Sequence, residues 1–272
     1  MPPTIILIRH AQAEHNATQN WDIHDPDLSE LGQNQCLELR KSLMENPLAQ
    51  QAGLIVVSPM RRTVQTALRS LDWLIEKGVK IEADANWQAN PQNPENSDKP
   101  CDTGTPAAQL AQEFPAVDFA TALDPVYPDK RSAAAAAYHF QRSAILARAQ
   151  TALRRLRARP EKVIVVVSHS GFLRVAVTGC FYFNADYRVF DFAAPPPQQK
   201  SQTQAALVAG SGGDIDVDGK GGANAETEKN PQIIEVVQHA LTKEKGGGLG
   251  WSWTEHVELG TGLPDELPSA AA

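Results

Sequence analysis

Cysteine is scarce in this 272-residue chain, which has only Cys36, Cys101 and Cys180. None of the three belongs to a Cys-x-x-Cys pair or has the Cys/His spacing that binds zinc, so we expect no structural zinc site and no other metal centre. Cysteines scattered singly are also typical of proteins from a reducing compartment. The scarcity of cysteine therefore favours an intracellular protein that needs no metal.

Long hydrophobic runs and an excess of positive charge are absent as well. No stretch approaches the roughly 18 consecutive apolar residues of a membrane span, and residues 1–4 lead into the first apolar run without a basic, apolar targeting segment. The formal net charge is −7, so no overall basic field would collect nucleic acid. We expect a cytoplasmic protein with no membrane and no nucleic-acid partner, and its oligomeric state stays open.

Three apolar runs are present, and each ends in residues suited to binding an anion. Uninterrupted runs of branched residues predict strands that are buried on both faces of a parallel sheet. The residues just beyond the carboxyl ends of such strands face the ligand crevice. The three junctions are residues 5–8 followed by Arg9 and His10, residues 54–57 followed by Ser58-Pro59-Met60-Arg61-Arg62, and residues 162–167 followed by Ser168-His169-Ser170-Gly171.

The residue types at these junctions match the needs of a phosphoryl pocket. Arg9 and one of Arg61 and Arg62 supply planar guanidinium groups that bind phosphate oxygens bidentately. His10 and His169 supply a nucleophile and a further hydrogen-bond donor near neutral pH. Brought together at one edge of a sheet, these four side chains predict phosphoryl chemistry without a metal.

Four sequence blocks extend this pattern beyond the strand ends. They are Leu7-Ile8-Arg9-His10-Ala11 with His15-Asn16, then residues 27–35, residues 58–67 and residues 166–171. In order and spacing, over residues 4–192, the chain resembles the histidine phosphatase superfamily in its phosphoglycerate mutase-like branch 1. It is most similar to fungal phosphoglycerate mutase-like proteins, with which it shares the Pro-Cys-Asp-Thr-Gly segment at residues 100–104.

The resemblance implies a fold, a reaction and roles for the strand-end residues. The fold is α/β, a three-layer α/β/α sandwich with a mostly parallel central sheet and an irregular cap insertion at residues 84–131. The reaction is that of a phosphatase: cofactor-free and metal-independent hydrolysis of a small phosphate ester through a phosphohistidine on His10. Arg9, Arg62 and His169 would hold the phosphoryl oxygens. Arg62 is preferred over Arg61 because the family's arginine follows the serine of its Ser-Pro block by four residues.

The residue that protonates the leaving group is open between two positions. In relatives it is a Glu in a Leu-Gln-Glu block that follows a short strand. Counting forward from the predicted strand puts Ala89 at this position, whereas counting back from Cys101 puts Glu95 there. We prefer Glu95, because an insertion between Gln88 and Glu95 costs little in a loop. The alternative is that the acid has been lost.

Two further features of the resemblance concern the walls of the pocket. Asn16, Ser170 and Asp102 are predicted to contact the substrate, although a loop Asn such as Asn16 is equally suited to bonding its own backbone. Ala11 and Ser170 stand where the family usually has glycine. Each adds a small side chain at a point where the backbone approaches a phosphate closely.

The pattern between the strands predicts helices and one linker. Ser29 can cap a helix that stops at Asn46-Pro47, residues 64–75 carry an apolar stripe that ends near Gly78, and residues 132–159 predict one long helix. Residues 193–230 have the composition of a low-complexity linker or disordered insertion. We therefore expect one catalytic domain, residues 1–192 plus 231–260, in which residues 233–237 return as a strand or short helix.

Three other functions remain open at this point. One is a phosphoglycerate-type mutase, which passes the phosphoryl group to a second substrate instead of water. Another is a phosphate-binding or inactive member of the family, which the Ala89 alternative favours. The last is a biosynthetic enzyme that reuses the pocket for a carboxylate or phosphate intermediate.

Overall fold

A computed structural model describes residues 1–89, 99–194 and 233–266. The strands are β1 (Thr4–Arg9), β2 (Ala52–Val57), β3 (Lys80–Ala83), β4 (Val163–Ser168), β5 (Tyr187–Phe192) and β6 (Val236–Gln238). The helices are α1 (Glu14–Thr18), α2 (Glu30–Glu45), α3 (Arg61–Ser70), α4 (Asp72–Ile75), α5 (Ala107–Glu113), α6 (Arg142–Arg157), α7 (Ser170–Phe172), which runs into a π-helix at Leu173–Thr178, and α8 (Ala240–Lys243). Short 3-10 turns occur at Ala49–Gln51, Ala85–Trp87, Pro100–Asp102 and Ala133–Tyr138.

The described strands form a single sheet in the order β3-β2-β4-β1-β5-β6. The first four are parallel to one another, whereas β5 and β6 pair antiparallel at the β1 side. β4 is buried along its whole length, as expected for a central parallel strand covered on both faces. This arrangement confirms the predicted mostly parallel α/β sheet.

The alternation of side chains along β1 divides the core between the two faces of the sheet. Ile6 and Ile8 pack in a cluster with apolar residues of α2 and α3. Ile5 and Leu7 pack in a second cluster with residues of α6 and of the π-helix. Helices therefore cover both faces, which confirms the three-layer α/β/α sandwich.

The predicted helix boundaries are confirmed at α2 and changed further along. Ser29 Oγ accepts a hydrogen bond from Gly32 N–H and caps α2, which ends at Glu45 as expected. The stripe over residues 64–75 is divided between α3 and α4, because Leu71 leaves the helical conformation at φ −122° and ψ 14°. Gly78 ends this region in a left-handed conformation, with φ +88°.

The single long helix predicted over residues 132–159 is wrong. Ala133–Tyr138 forms a 3-10 turn, and α6 begins only at Arg142. His139 and Gln141 between them have extended backbones. Because alternate side chains of an extended segment point to the same face, both Tyr138 and Phe140 are buried there. The alanine-rich run had helix propensity, but burial of two aromatic rings determines the local structure.

Asp186 fastens a late segment of the chain to the end of β1. Its buried carboxylate accepts hydrogen bonds from the backbone N–H groups of Leu249, Trp251 and Ser252, at 2.9–3.1 Å, and from Ser252 Oγ at 2.7 Å. The Asp186 carbonyl accepts from Arg9 N–H at 3.1 Å. Tyr187 N–H also donates to this carboxylate, at 2.8 Å. Five donors to one carboxylate offset the cost of burying its charge.

The described residues up to Ala193 and from Ile234 onward form one compact unit. The returning segment predicted at residues 233–237 contributes the strand β6. The predicted linker, residues 193–230, lies outside the described residues apart from its first two, so its nature stays a prediction. Within the described ranges no helix combines the length and the apolar character needed to cross a bilayer.

Candidate active site

A cavity of about 200 Å³, here called the strand-end cavity, lies beyond the carboxyl ends of β1, β2 and β4. Its position follows from the sheet: Arg9 of β1 is in register with Ser168 of β4, so the next residues, His10 and His169, are neighbours. Their ring centroids are 5.1 Å apart. The lining comprises Arg9, His10, His15, Asn16, Trp21, Arg62, Ala89, Lys99, Cys101, Asp102, His169, Ser170 and Gly171.

His10 is buried and held at both its backbone and its ring. Its N–H donates to Ser168 O at 2.9 Å, and its carbonyl accepts from Asn184 Nδ2 at 3.1 Å. The ring Nδ1 lies 2.7 Å from Ala11 O, an acceptor, so this nitrogen carries the proton. The other nitrogen, Nε2, is therefore left with its lone pair.

The electrostatic surroundings keep the His10 ring uncharged. Burial, followed by the positive charges of Arg62 and Arg9, lowers the pKa of His10 well below its ordinary value of 6.5. A neutral imidazole has a free nitrogen lone pair, whereas an imidazolium has none. His10 is thus available as a nucleophile at neutral pH.

Arg9 and Arg62 each use part of their guanidinium group to fix their position. Arg9 Nη1 donates to Tyr182 O at 3.0 Å, while Arg62 donates to Cys101 O at 2.7 Å and to Asp102 Oδ1 at 3.0 Å. The Nε–H groups of both arginines are buried without a hydrogen-bond partner. Burial and the charge of Arg62 lower the pKa of Arg9 only to about 10, so Arg9 remains a cation at neutral pH.

Two unsatisfied buried N–H donors on cationic side chains are costly unless an acceptor occupies the space between them. An anion with several oxygens, such as a phosphoryl group, meets this need. The unpartnered donors of Arg9 and Arg62 therefore suit the strand-end cavity to an anion.

His169 completes the group of strand-end side chains. Its Nε2 lies 2.8 Å from Ser58 Oγ, and its Nδ1 lies 3.4 Å from Arg62 Nη2. Burial, then the charge of Arg62, lowers the pKa of His169 well below 6.5. Contacts from both ring nitrogens fix the ring plane beside Arg62.

His15 is a cavity residue that sequence reasoning did not single out. Its ring centroid lies 6.2 Å from that of His10, and its Nδ1 is buried without a hydrogen-bond partner. Burial and the nearby arginine charges lower its pKa to about 3. The one available signal was the His15-Asn16 pair in the first block of the resemblance, from which only Asn16 was selected.

Asn16 itself lines the cavity while its side chain serves the local backbone. Its Oδ1 accepts from Ala13 N–H at 3.2 Å, and its Nδ2 lies 3.0 Å from His15 Nε2. The bond to the local backbone is thus observed, whereas contact of Asn16 with substrate stays a prediction.

The remaining predicted residues divide into those at the cavity and those outside it. Ser170 lines the cavity, with Oγ donating to Tyr182 O at 3.1 Å. Asp102 also lines it, but its carboxylate faces Arg62, so its contact is with the arginine. Arg61 lies outside and pairs with Asp27 and Glu113, which agrees with the choice of Arg62.

The two positions considered for the proton donor are Ala89 and Glu95. Ala89 lines the cavity, with its carbonyl 3.3 Å from Lys130 Nζ, so counting forward from β3 leads to a methyl group at the site. Glu95 lies outside the described residues, and its role stays a prediction.

Lys130, which contacts the Ala89 carbonyl, is itself affected by its surroundings. Burial lowers the pKa of Lys130 to about 8.

Comparison with known proteins bears directly on this site. The family described as the histidine phosphatase superfamily (branch 1) matches residues 5–88. A Schizosaccharomyces pombe protein named as a probable phosphatase is 33% identical over 178 residues, which cover 63% of this chain and 76% of that protein. The chain belongs to the histidine phosphatase superfamily. Membership confirms both the resemblance and the enzyme class, a phosphatase.

Other members of the superfamily are more distant. An Arabidopsis thaliana phosphoglycerate mutase-like protein is 29% identical over 203 residues, which cover 62% of this chain and 72% of that protein. The crystal structure of an ecdysone phosphate phosphatase from Bombix mori, in complex with tungstate, superposes with a TM-score of 0.50 at 16% identity, covering 79% of this chain and 98% of that one. This last likeness concerns the fold alone.

Proposed function

We propose that this phosphatase hydrolyses a small phosphate ester without a metal, through a phosphohistidine on His10. The observation that carries the proposal is the pair of buried, unpartnered Nε–H groups of Arg9 and Arg62 beside a neutral His10. These donors are oriented before substrate arrives, so they stabilise the charge that develops on the phosphoryl oxygens without reorganising.

The reaction proceeds in two displacements. In the first, His10 Nε2 forms a bond to phosphorus while the bond between phosphorus and the ester oxygen breaks. Arg9, Arg62 and His169 hold the oxygens, and the leaving alkoxide takes a proton from Glu95. In the second, the Glu95 carboxylate accepts a proton from water, which attacks phosphorus and regenerates His10.

Ala89 favours a second candidate, a member of the family that binds phosphate without turning it over. A methyl group at the cavity, where relatives place the acid, cannot protonate a leaving group. In this candidate the arginines still bind an anion, but no ester is cleaved.

A panel of alkyl and aryl phosphates, assayed in the presence of a chelator, tests the proposal. We expect release of inorganic phosphate that the chelator does not reduce. Binding of phosphate without turnover of any ester would establish the second candidate. Transfer of the phosphoryl group to a second substrate in place of water would identify a mutase.

The role of Glu95 is tested by comparing leaving groups. Glu95→Gln should slow hydrolysis of alkyl phosphates by about 10²–10⁴-fold, the usual contribution of a positioned acid or base. It should affect an activated aryl phosphate much less, since a good leaving group departs unprotonated. Glu113→Gln is the matched control, because Glu113 pairs with Arg61 away from the cavity. Equal losses on both substrates would contradict the assignment.

A further inference from the structure

A second cavity, of about 360 Å³, adjoins the strand-end cavity and shares Arg9, Ser170 and Gly171 with it. Cavities that enclose a small-molecule ligand typically measure about 300–1,000 Å³. At about 200 Å³ the strand-end cavity falls below this range, so it has room for a phosphoryl group and little more. The organic part of an ester bound there must therefore extend elsewhere, and the second cavity is continuous with the phosphate position through the shared residues.

Apolar side chains form about half of the wall of the second cavity. They are Phe140, Val175, Phe181 and Leu263, which come from three separate regions of the chain. Phe140 and Leu263 are buried. Such walls favour an apolar or aromatic group and exclude water from it.

Arg174 lies beside these apolar side chains and is a second cation of this cavity, in addition to Arg9. Its guanidinium carbon lies 5.9 Å from the centroid of the Phe181 ring, a cation–π contact. Within the described ranges no carboxylate pairs with it, whereas Arg61 and Arg159 both have acidic partners. An arginine held on an aromatic face without a counter-ion offers its planar donors to an anionic group of a ligand.

We propose that the second cavity is a substrate subsite, which binds an aromatic or otherwise apolar leaving group carrying a second anionic group that pairs with Arg174. The inference rests on the proposed function, because it places the phosphate of the same molecule in the strand-end cavity. The substrate is then a phosphate ester with two anionic ends separated by an apolar body.

Calorimetric binding of phosphonates tests the subsite without requiring turnover. The probes are benzylphosphonate and its meta- and para-carboxylated derivatives, which cannot be hydrolysed. We expect at least one carboxylated probe to bind about five- to tenfold more tightly than benzylphosphonate, as a partly exposed charged hydrogen bond provides. Arg174→Gln should remove this advantage and leave the affinity for benzylphosphonate within about twofold. Arg154→Gln, an exposed arginine of α6, is the control and should retain it.

A second variant examines the apolar wall independently. Val175→Phe fills part of the cavity, so it should weaken benzylphosphonate binding while inorganic phosphate binds as before. A carboxylated probe with no advantage in the wild type, or an advantage that survives Arg174→Gln, would overturn the subsite. So would equal weakening of all three probes by Arg174→Gln, which would place this arginine on the phosphate.

The outcomes separate the subsite from the proposed hydrolysis. An Arg174-dependent preference in a protein that cleaves no ester would reject the hydrolysis and support the subsite. Turnover of an ester without such a preference would support the hydrolysis and reject the subsite. Failure of every phosphonate to bind would overturn both.

Discussion

Two groups of side chains surround the strand-end cavity, and they are held in different ways. His10 and His169 follow parallel strands whose register fixes their separation, and His10 is further tied through backbone hydrogen bonds to Ser168 and Asn184. The Pro100–Asp102 turn belongs to a loop, where Cys101 N–H donates to Trp21 O at 3.2 Å, and Trp21 is itself in a loop.

The difference indicates a division of labour. The sheet fixes His10, the proposed nucleophile, and Arg9, while the loop orients Arg62 of α3 through Asp102 and Cys101 O. Substitutions in the first group should therefore abolish chemistry, and substitutions in the second should only misplace Arg62.

The largest expected effect follows removal of the nucleophile. His10→Ala should lower kcat/KM by at least about 10⁴-fold, as loss of a nucleophile does in other covalent mechanisms, with the fold intact. Rapid-quench labelling with a radioactive ester should detect acid-labile phosphate on the wild type alone. His139→Ala, at a partly exposed histidine outside the strand-end cavity, is the control. Labelling that persisted in His10→Ala would show that another residue is the nucleophile.

Arg62→Lys should have the next largest effect. Lysine keeps the charge but loses the fork that reaches both the loop and the phosphoryl group, so kcat should fall by about 10²–10³-fold, as for loss of one oxyanion donor. Arg61→Lys, outside the cavity, should change kcat little. Steady-state kinetics on one aryl phosphate measure kcat for both variants. Similar decreases in kcat would contradict the choice of Arg62 over Arg61.

Buried strand-end histidines should also make stability depend on pH. The pKa values of His10, His15 and His169 are lowered from 6.5 in the folded protein, so below that value the unfolded chain binds more protons than the folded one. The free energy of unfolding should then be at its plateau above pH 6.5 and fall below it, by up to about 1.4 kcal/mol per pH unit for each histidine.

Urea unfolding between pH 7 and pH 4.5 measures this slope. His169→Asn should reduce it, while His24→Asn, at an exposed position, should not. An unchanged slope in His169→Asn would mean that this histidine is not held neutral by burial.

Asp102→Asn should have a moderate effect, because it tests the loop's contribution alone. The hydrogen bond to Arg62 persists through the amide oxygen but loses its charge, so kcat/KM should fall by about tenfold, equal to roughly 1.4 kcal/mol. Asp129→Asn, at a surface turn, is the control. A loss as large as that of Arg62→Lys would remove the distinction between the two groups.

The smallest effect is expected for Ser170→Gly, which restores the residue usual in the family. The variant loses the hydrogen bond to Tyr182 O, worth about 1 kcal/mol of stability. Because Ser170 Oγ is engaged with the backbone, kcat/KM should stay within about threefold. Thermal melting and steady-state kinetics together check both statements, and a large kinetic loss would place Ser170 in direct contact with substrate.

The features that sequence predicted best are those with a strict local signal. Residues 5–8 and 163–167 are apolar without interruption, and such runs have few alternatives to a buried strand, so the positions of the residues that follow them at the sheet edge were predicted correctly. Because β1 and β4 are adjacent parallel strands, His10 and His169 are neighbours independently of the loop conformations.

The features that sequence missed depend on contacts between distant segments. His15 lies at the cavity because it belongs to α1, the short helix after β1. No hydrophobic periodicity in the sequence predicts this helix. The break before α6 follows from burial of Tyr138 and Phe140, and the second cavity joins residues near 140, 175 and 263. None of these has a local pattern, since each results from packing of the whole chain.

The carboxylate of Asp186 has a consequence for the order in which the protein becomes functional. Asp186 binds residues 249–252 through its carboxylate and the backbone of Arg9 through its carbonyl, so the two sides of this junction lie far apart in the chain and are synthesised at different times. A nascent chain that stops short of residue 249 leaves the buried carboxylate without most of its donors. Arg9 therefore reaches its final surroundings only after residues 249–252 have been synthesised, and a chain that ends before them carries the Arg9-His10 pair without these surroundings.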